Sequence, residues 1–170
     1  MKRASGFFFL AIFLLTGCGY HFSGSGAKLP EGIHSVSIPI FANQTIQTGI
    51  ESEVTRALVE KFTSAKQLLV TGEGEADALL SGTVKSFVTS PSAVTLTTQT
   101  ATEYRVTLTV EVTFKRQRDG KVFWKGEMSE WRNYPVVADL AATDAYKQEA
   151  IQEASKLLAE RLYETLLEEF

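Results

Sequence analysis

The chain has 170 residues, 44% of them hydrophobic, with 17 basic against 20 acidic side chains and a formal charge of −3. That length is enough for one core of ordinary size, and the acidic balance argues against nucleic acid, whose phosphates call for basic clusters. A single cysteine excludes an intramolecular disulfide framework, so the fold must be held by its own core.

Residues 1–17 read as a leader. Lys2 and Arg3 give a positive start, and Phe7 to Leu15 (FFFLAIFLL) is an unbroken apolar run. As a helix at about 1.5 Å per residue it reaches roughly 14 Å, against about 30 Å for a bilayer core. It is the h-region of a secretory signal peptide. Leu15-Thr16-Gly17-Cys18 resembles the bacterial lipobox. That resemblance implies cleavage after Gly17 and acylation of Cys18 on its sulfur and its new amino group. Two or more chains make a stable anchor where one is marginal. Without Lys2 and Arg3, 15 basic side chains face the same 20 acidic ones, which also weakens bulk attraction to anionic lipid. Gly19 stands where an Asp commonly signals inner-membrane retention in lipoproteins of this kind, so the expected location is the outer membrane, on its periplasmic side.

Residues 18–32 (CGYHFSGSGAKLPEG) are rich in Gly and Ser and read as the lipidated start and a tether. "SVSIPI", Ser35 to Ile40, alternates Val36, Ile38 and Ile40 and predicts a strand; Pro39 places it at an edge or ends it. From Ile46 to Ala65 the period changes. Ile46, Ile50, Val54, Ala57, Leu58, Phe62 and Ala65 form one stripe of an amphipathic helix, with Ser52, Arg56 and Glu60 opposite. Leu68 to Val70 predicts a short strand, and "TGEGEAD" is turn chemistry whose lone Gly-x-Gly is too weak to mean phosphate.

Three strands are expected next: Leu79 to Ser90, Thr102 to Arg116 and Lys121 to Asn133, the last two joined by a hairpin at Asp119-Gly120. The second is the clearest. Tyr104, Val106, Leu108, Val110, Val112 and Phe114 share one face; Arg105, Thr107, Thr109, Glu111, Thr113 and Lys115 share the other. In the third, Val122, Trp124 and Met128 have one parity, Phe123 and Trp131 the opposite one. Ala142 to Leu167 predicts a long helix with Tyr146, Ala150, Ala154, Leu158, Leu162 and Leu166 as its stripe and Thr143 or Asp144 at its start. The expected fold is α+β: a two-layer sandwich with two helices on one face of a mainly antiparallel sheet of about four strands, one domain over residues 33–170.

No local motif assembles a catalytic site. His21 and His34 have no neighbours at metal-ligand spacing, no Gly-x-Ser-x-Gly occurs, and no cofactor is implied. Asn43-Gln44-Thr45 matches a glycosylation sequon, which in a bacterial lipoprotein reads as incidental. What stands out is the threonine row. Thr107, Thr109 and Thr113 read either as a solvated sheet face with good strand propensity or as a surface that docks on a polar protein wall, such as the inside of a membrane barrel.

"CGYHF" from Cys18, "IPIF-N-T" over Ile38 to Thr45, "ADALLSGTV" from Ala76 and "TATEYRVTLTVEVTF" from Thr100 resemble the LPS-assembly lipoprotein family LptE, also called RlpB. The resemblance implies two helices on a four-stranded sheet and a non-enzymatic role. Such proteins plug and support assembly of the LptD barrel and help deliver lipopolysaccharide to the outer leaflet. A direct contact with lipopolysaccharide phosphates needs basic residues. Thr89 to Glu103 holds none, which leaves Lys85, Arg105 or Arg132 to serve. "Pro-x-Phe-x-Asn" and "Ala-Asp-x-x-Leu-x-Gly" also resemble periplasmic lipoproteins of the penicillin-binding-protein activator and curli-secretion kind, which bind a synthase or form an oligomer.

Overall fold

A computed structural model describes residues 30–95 and 100–169. The leader, Cys18 and the tether as far as residue 29 lie outside the described residues. The elements in chain order are β1 (Ser35–Ser37), β2 (Ala42–Asn43), α1 (Ile50–Ala65), β3 (Leu69–Val70), β4 (Ala78–Val94), β5 (Ala101–Arg116), β6 (Val122–Pro135) and α2 (Leu140–Glu168). The α+β reading holds: α1 and α2 pack on each other and on one side of a single sheet. That sheet has six strands rather than about four and is mixed. Its order is β3-β1-β4-β5-β6, with β2 also on β4. The three long strands are antiparallel neighbours, whereas β1 runs parallel to β3 and β4, and β2 parallel to β4.

Three local expectations are corrected. Pro39 does end the first strand, but β1 is interior, between β3 and β4, and the chain resumes as β2 further along the same edge of β4. The break changes the parity, so Ile40 is exposed and Phe41 enters the core. α1 begins at Ile50, not Ile46, and Ile46 is fully exposed. Asn43 is the cause: its Oδ1 accepts from the Thr45 backbone N–H and hydroxyl, and its Nδ2 donates to Gln47 O and Glu51 Oε2. This side-chain loop competes with helix up to Gly49, which takes φ 86°, a region that favours glycine. α2 begins at Leu140 under an Asp139 cap whose Oδ1 accepts the Ala141 N–H, ahead of the expected Thr143 or Asp144.

The core lies between the sheet and the helices. Val106, Leu108, Val110, Val112 and Phe114 of β5 are buried against it, as are Leu80 and Val84 of β4, Val54, Leu58 and Phe62 of α1, and Leu158 and Leu162 of α2. The buried stripe of α2 is wider than expected: Ile151, Ala159 and Tyr163 join it, while Tyr146 is exposed. Tyr163 meets Phe62 edge-on at 5.1 Å between ring centroids. Phe123 is a further correction. A register shift between Phe114 and Lys115 brings its ring 5.6 Å from Phe114, on the core side, and leaves Val122 exposed.

Candidate docking face

The side of the sheet away from the helices is set by β5. Its even-numbered residues are buried under the helices, so the odd-numbered ones, Glu103 to Lys115, form a row on the other side. Register extends the row across the neighbours. Thr113 lies between Ser81 and Lys125, Glu111 between Thr83 and Glu127, Thr109 between Ser86 and Ser129, Thr107 between Val88 and Trp131, and Arg105 between Ser90 and Asn133. The expected threonines, Thr107, Thr109 and Thr113, therefore share one surface with serines and threonines from β4 and β6. Thr109 Oγ1 and Ser129 Oγ stand 3.1 Å apart in a cross-strand hydrogen bond, and Lys125 Nζ is 3.7 Å from Glu111 Oε1. A hydroxyl both donates and accepts, so this face can meet a polar wall of either sense.

The three cations considered for phosphate do not converge. Arg132 has the helix-side parity of β6, and its Nε sits 3.5 Å from Glu153 Oε2 of α2. Lys85 is exposed at a β-bulge, between the Val84–Val110 and Ser86–Thr109 pairs. Arg105 is on the open face, with its guanidinium 4.0 Å over the Trp131 ring and its Nε donating to Asn133 Oδ1 at 2.9 Å. That constellation escaped the sequence reading, because it joins residues 26 to 28 positions apart through a hairpin register. The hydroxyl row of β4 escaped it too, since the bulge at Lys85 breaks the alternation that would have exposed it.

The face is held in place from its far corner. Asp77 accepts the backbone N–H groups of His34 and Ser35 and the Ser35 hydroxyl on one oxygen, Oδ2, at 2.8–3.1 Å, and the Asp77 N–H returns to Ser35 Oγ. This ties the start of β1 to the start of β4. The His34 N–H and the Ser35 hydroxyl hold the Asp77 carboxyl below its ordinary range. Among the described residues no group of three His, Cys, Asp or Glu could hold a metal ion, and no helix is long and apolar enough to cross a membrane.

Comparison with known proteins agrees with this architecture. The family model described as "LptE: Lipopolysaccharide-assembly" matches residues 33–166. No curated protein matches the chain. Among solved structures, rare lipoprotein B from Shewanella oneidensis is similar at 14% identity over 78% of this chain and 93% of that one, with a TM-score of 0.54. Lipoprotein B from Nitrosomonas europaea is similar at 13% over 85% and 87%, TM-score 0.54. A minor lipoprotein from Acinetobacter baumannii is similar at 13% over 82% and 93%, TM-score 0.55. At such identities the likeness to each structure is one of fold.

Proposed function

Because this chain belongs to the lipopolysaccharide-assembly lipoprotein family LptE and so takes part in lipopolysaccharide assembly, we propose that it works as a lipid-anchored, non-catalytic partner seated inside an LptD-type outer-membrane barrel. Cys18 carries the acyl chains that hold it at the periplasmic side of the outer membrane. The folded domain plugs the barrel, supports its assembly and assists insertion of lipopolysaccharide into the outer leaflet.

The observation that carries this reading is the uncovered sheet face. A free sheet surface rich in Ser and Thr, with Thr107, Thr109 and Thr113 along its middle strand, has the hydrogen-bonding capacity that the polar lumen of a membrane barrel demands. The cations give less support to a direct grip on lipopolysaccharide phosphates. Arg132 is engaged with Glu153, Lys85 sits at the bulge, and Arg105 lies on the open face. The reading therefore rests on the barrel contact more than on cargo binding.

Affinity capture of the full-length chain from solubilised membranes tests it. The expected product is a one-to-one complex with a very large barrel protein. Recovery of a peptidoglycan synthase, or of a ring of identical subunits, contradicts it and favours the activator or curli-type alternative. For the anchor, Cys18→Ser is expected to abolish both leader cleavage and incorporation of labelled palmitate; an unchanged palmitate signal refutes the assignment.

A further inference from the structure

One part of the open face differs from the rest. Val88, Thr107 and Trp131 lie side by side on β4, β5 and β6, and among these Val88 is 51% and Trp131 47% exposed. Single exposed hydrophobics are ordinary. Here two flank one threonine in the middle of a hydroxyl surface, and a cation is fixed against one of them.

Arg105 is that cation. Its guanidinium lies 4.0 Å over the Trp131 ring and its Nε is pinned to Asn133 Oδ1. Glu103, two residues away on the same side of β5, forms no ion pair with it. Asn133 takes up both: while its Oδ1 accepts from Arg105, its Nδ2 donates to Glu103 Oε2 at 3.0 Å. Ser92 Oγ donates to that same oxygen at 2.9 Å. Glu103 is thus held by neutral donors and not by the guanidinium. Among the described residues the terminal guanidinium nitrogens make no hydrogen bond or ion pair.

We propose that Val88, Trp131 and Arg105 form the energetic centre of the docking face, receiving from the partner protein an apolar side chain with a carboxylate beside it. The inference rests on the docking reading above and names its central contact. Tryptophan and arginine are the residue types that dominate interface hot spots. A stacked, pinned guanidinium presents its remaining N–H groups as a fork matched to a planar carboxylate, with little entropy left to lose. Charge decides against phosphate as the occupant. A phosphate monoester carries roughly −1.5 to −2 at neutral pH, and this spot offers one cation next to Glu103, with Lys125 already facing Glu111. A singly charged carboxylate matches the one guanidinium fork whose terminal nitrogens lack a partner among the described residues.

The test uses the full-length acylated chain and its barrel partner, with affinity measured in detergent and folding followed by thermal melting. Arg105→Gln and Trp131→Ala are each expected to weaken the complex about thirtyfold or more. Arg105→Lys keeps the charge but neither forks nor stacks flat, so it recovers only part of that loss. Asn133→Ala is expected to weaken binding with Arg105 intact, because it frees Glu103 to pair with the guanidinium. If Trp131→Ala melts early, the Arg105→Lys and Arg105→Gln pair carries the test. Thr109→Arg sets a long charged side chain in the middle of the hydroxyl row, between Ser86 and Ser129, and is expected to break the complex; wild-type affinity for Arg105→Gln beside that loss overturns the hot spot and leaves the docking face standing. Wild-type affinity for both sinks the docking reading itself. Loss of lipopolysaccharide binding by Arg105→Gln, with the barrel complex intact, assigns the fork to cargo phosphate and equally overturns the proposal.

Discussion

Gly82 of β4 points into the core, where the Phe41 ring lies against it. A Cβ added there would stand 2.3 Å from Phe41 Cε2 and 2.6 Å from the Glu111 carbonyl oxygen. One of those contacts is backbone and cannot rotate away, so Gly82→Ala is expected to cost about 1–3 kcal/mol, the scale of overpacking, and to lower the melting temperature. An unchanged melt would show that Phe41 packs elsewhere. Ser155 makes the opposite case. It is fully buried in α2 and its Oγ has no hydrogen-bond partner among the described residues. An unsatisfied buried hydroxyl costs about 1–3 kcal/mol, so Ser155→Ala should hold or raise stability in denaturant titration; a clear loss would mean the hydroxyl has a partner. Asp77 links charge to stability. Its folded pKa is lowered by the His34 N–H and the Ser35 hydroxyl, so its contribution is full above the ordinary value of about 3.9 and is lost as pH falls through the folded value. Melting followed from pH 6 downward, in steps of about one unit, should show an acid loss that Asp77→Asn lacks. Identical acid profiles would count against the latch.

At the scale of elements, α2 carries the helix layer. Leu158 is completely buried among the sheet and α1, so Leu158→Ala is expected to cost about 2–5 kcal/mol. Chemical denaturation reads that directly, and a cost under about 1 kcal/mol would contradict the packing. The ion pairs between α2 and β6, Arg161 with Glu130 and Arg132 with Glu153, are worth much less, since in each pair one partner is largely solvated. They have a second use. β6 is an edge strand, and charges on its helix-facing side are a known guard against edge-to-edge pairing. How much of this could be read from sequence depended on the range of the deciding contacts. The alternation of β5 and the stripe of α2 from Ala150 to Leu166 are local periodicities, and both appear in the fold, although Tyr146 is exposed. The start of α1, the side taken by Phe123 and the hydroxyl row of β4 each turn on something periodicity does not carry. Those are the side-chain loop of Asn43, the shift at Lys115 and the bulge at Lys85. Arg105 was visible as a cation, but its stack on Trp131 exists only once β5 and β6 are in register.

At the scale of the whole molecule, the two faces of the sheet do different work. One closes the core with α1 and α2; the other offers hydroxyls, one stacked arginine and a half-exposed tryptophan to whatever lies opposite. A two-layer sandwich buries its core on one side of the sheet alone, so the other face is left to solvent or to a partner. On the proposed reading the open side receives the partner, and the acyl anchor proposed at Cys18 would hold the domain at the membrane where such a partner sits. A photo-crosslinking side chain placed at Thr109 in intact cells puts that claim to its most direct trial. The account predicts a single dominant adduct at the combined mass of this chain and a large outer-membrane barrel. No barrel adduct, with the chain still acylated and folded, would contradict it.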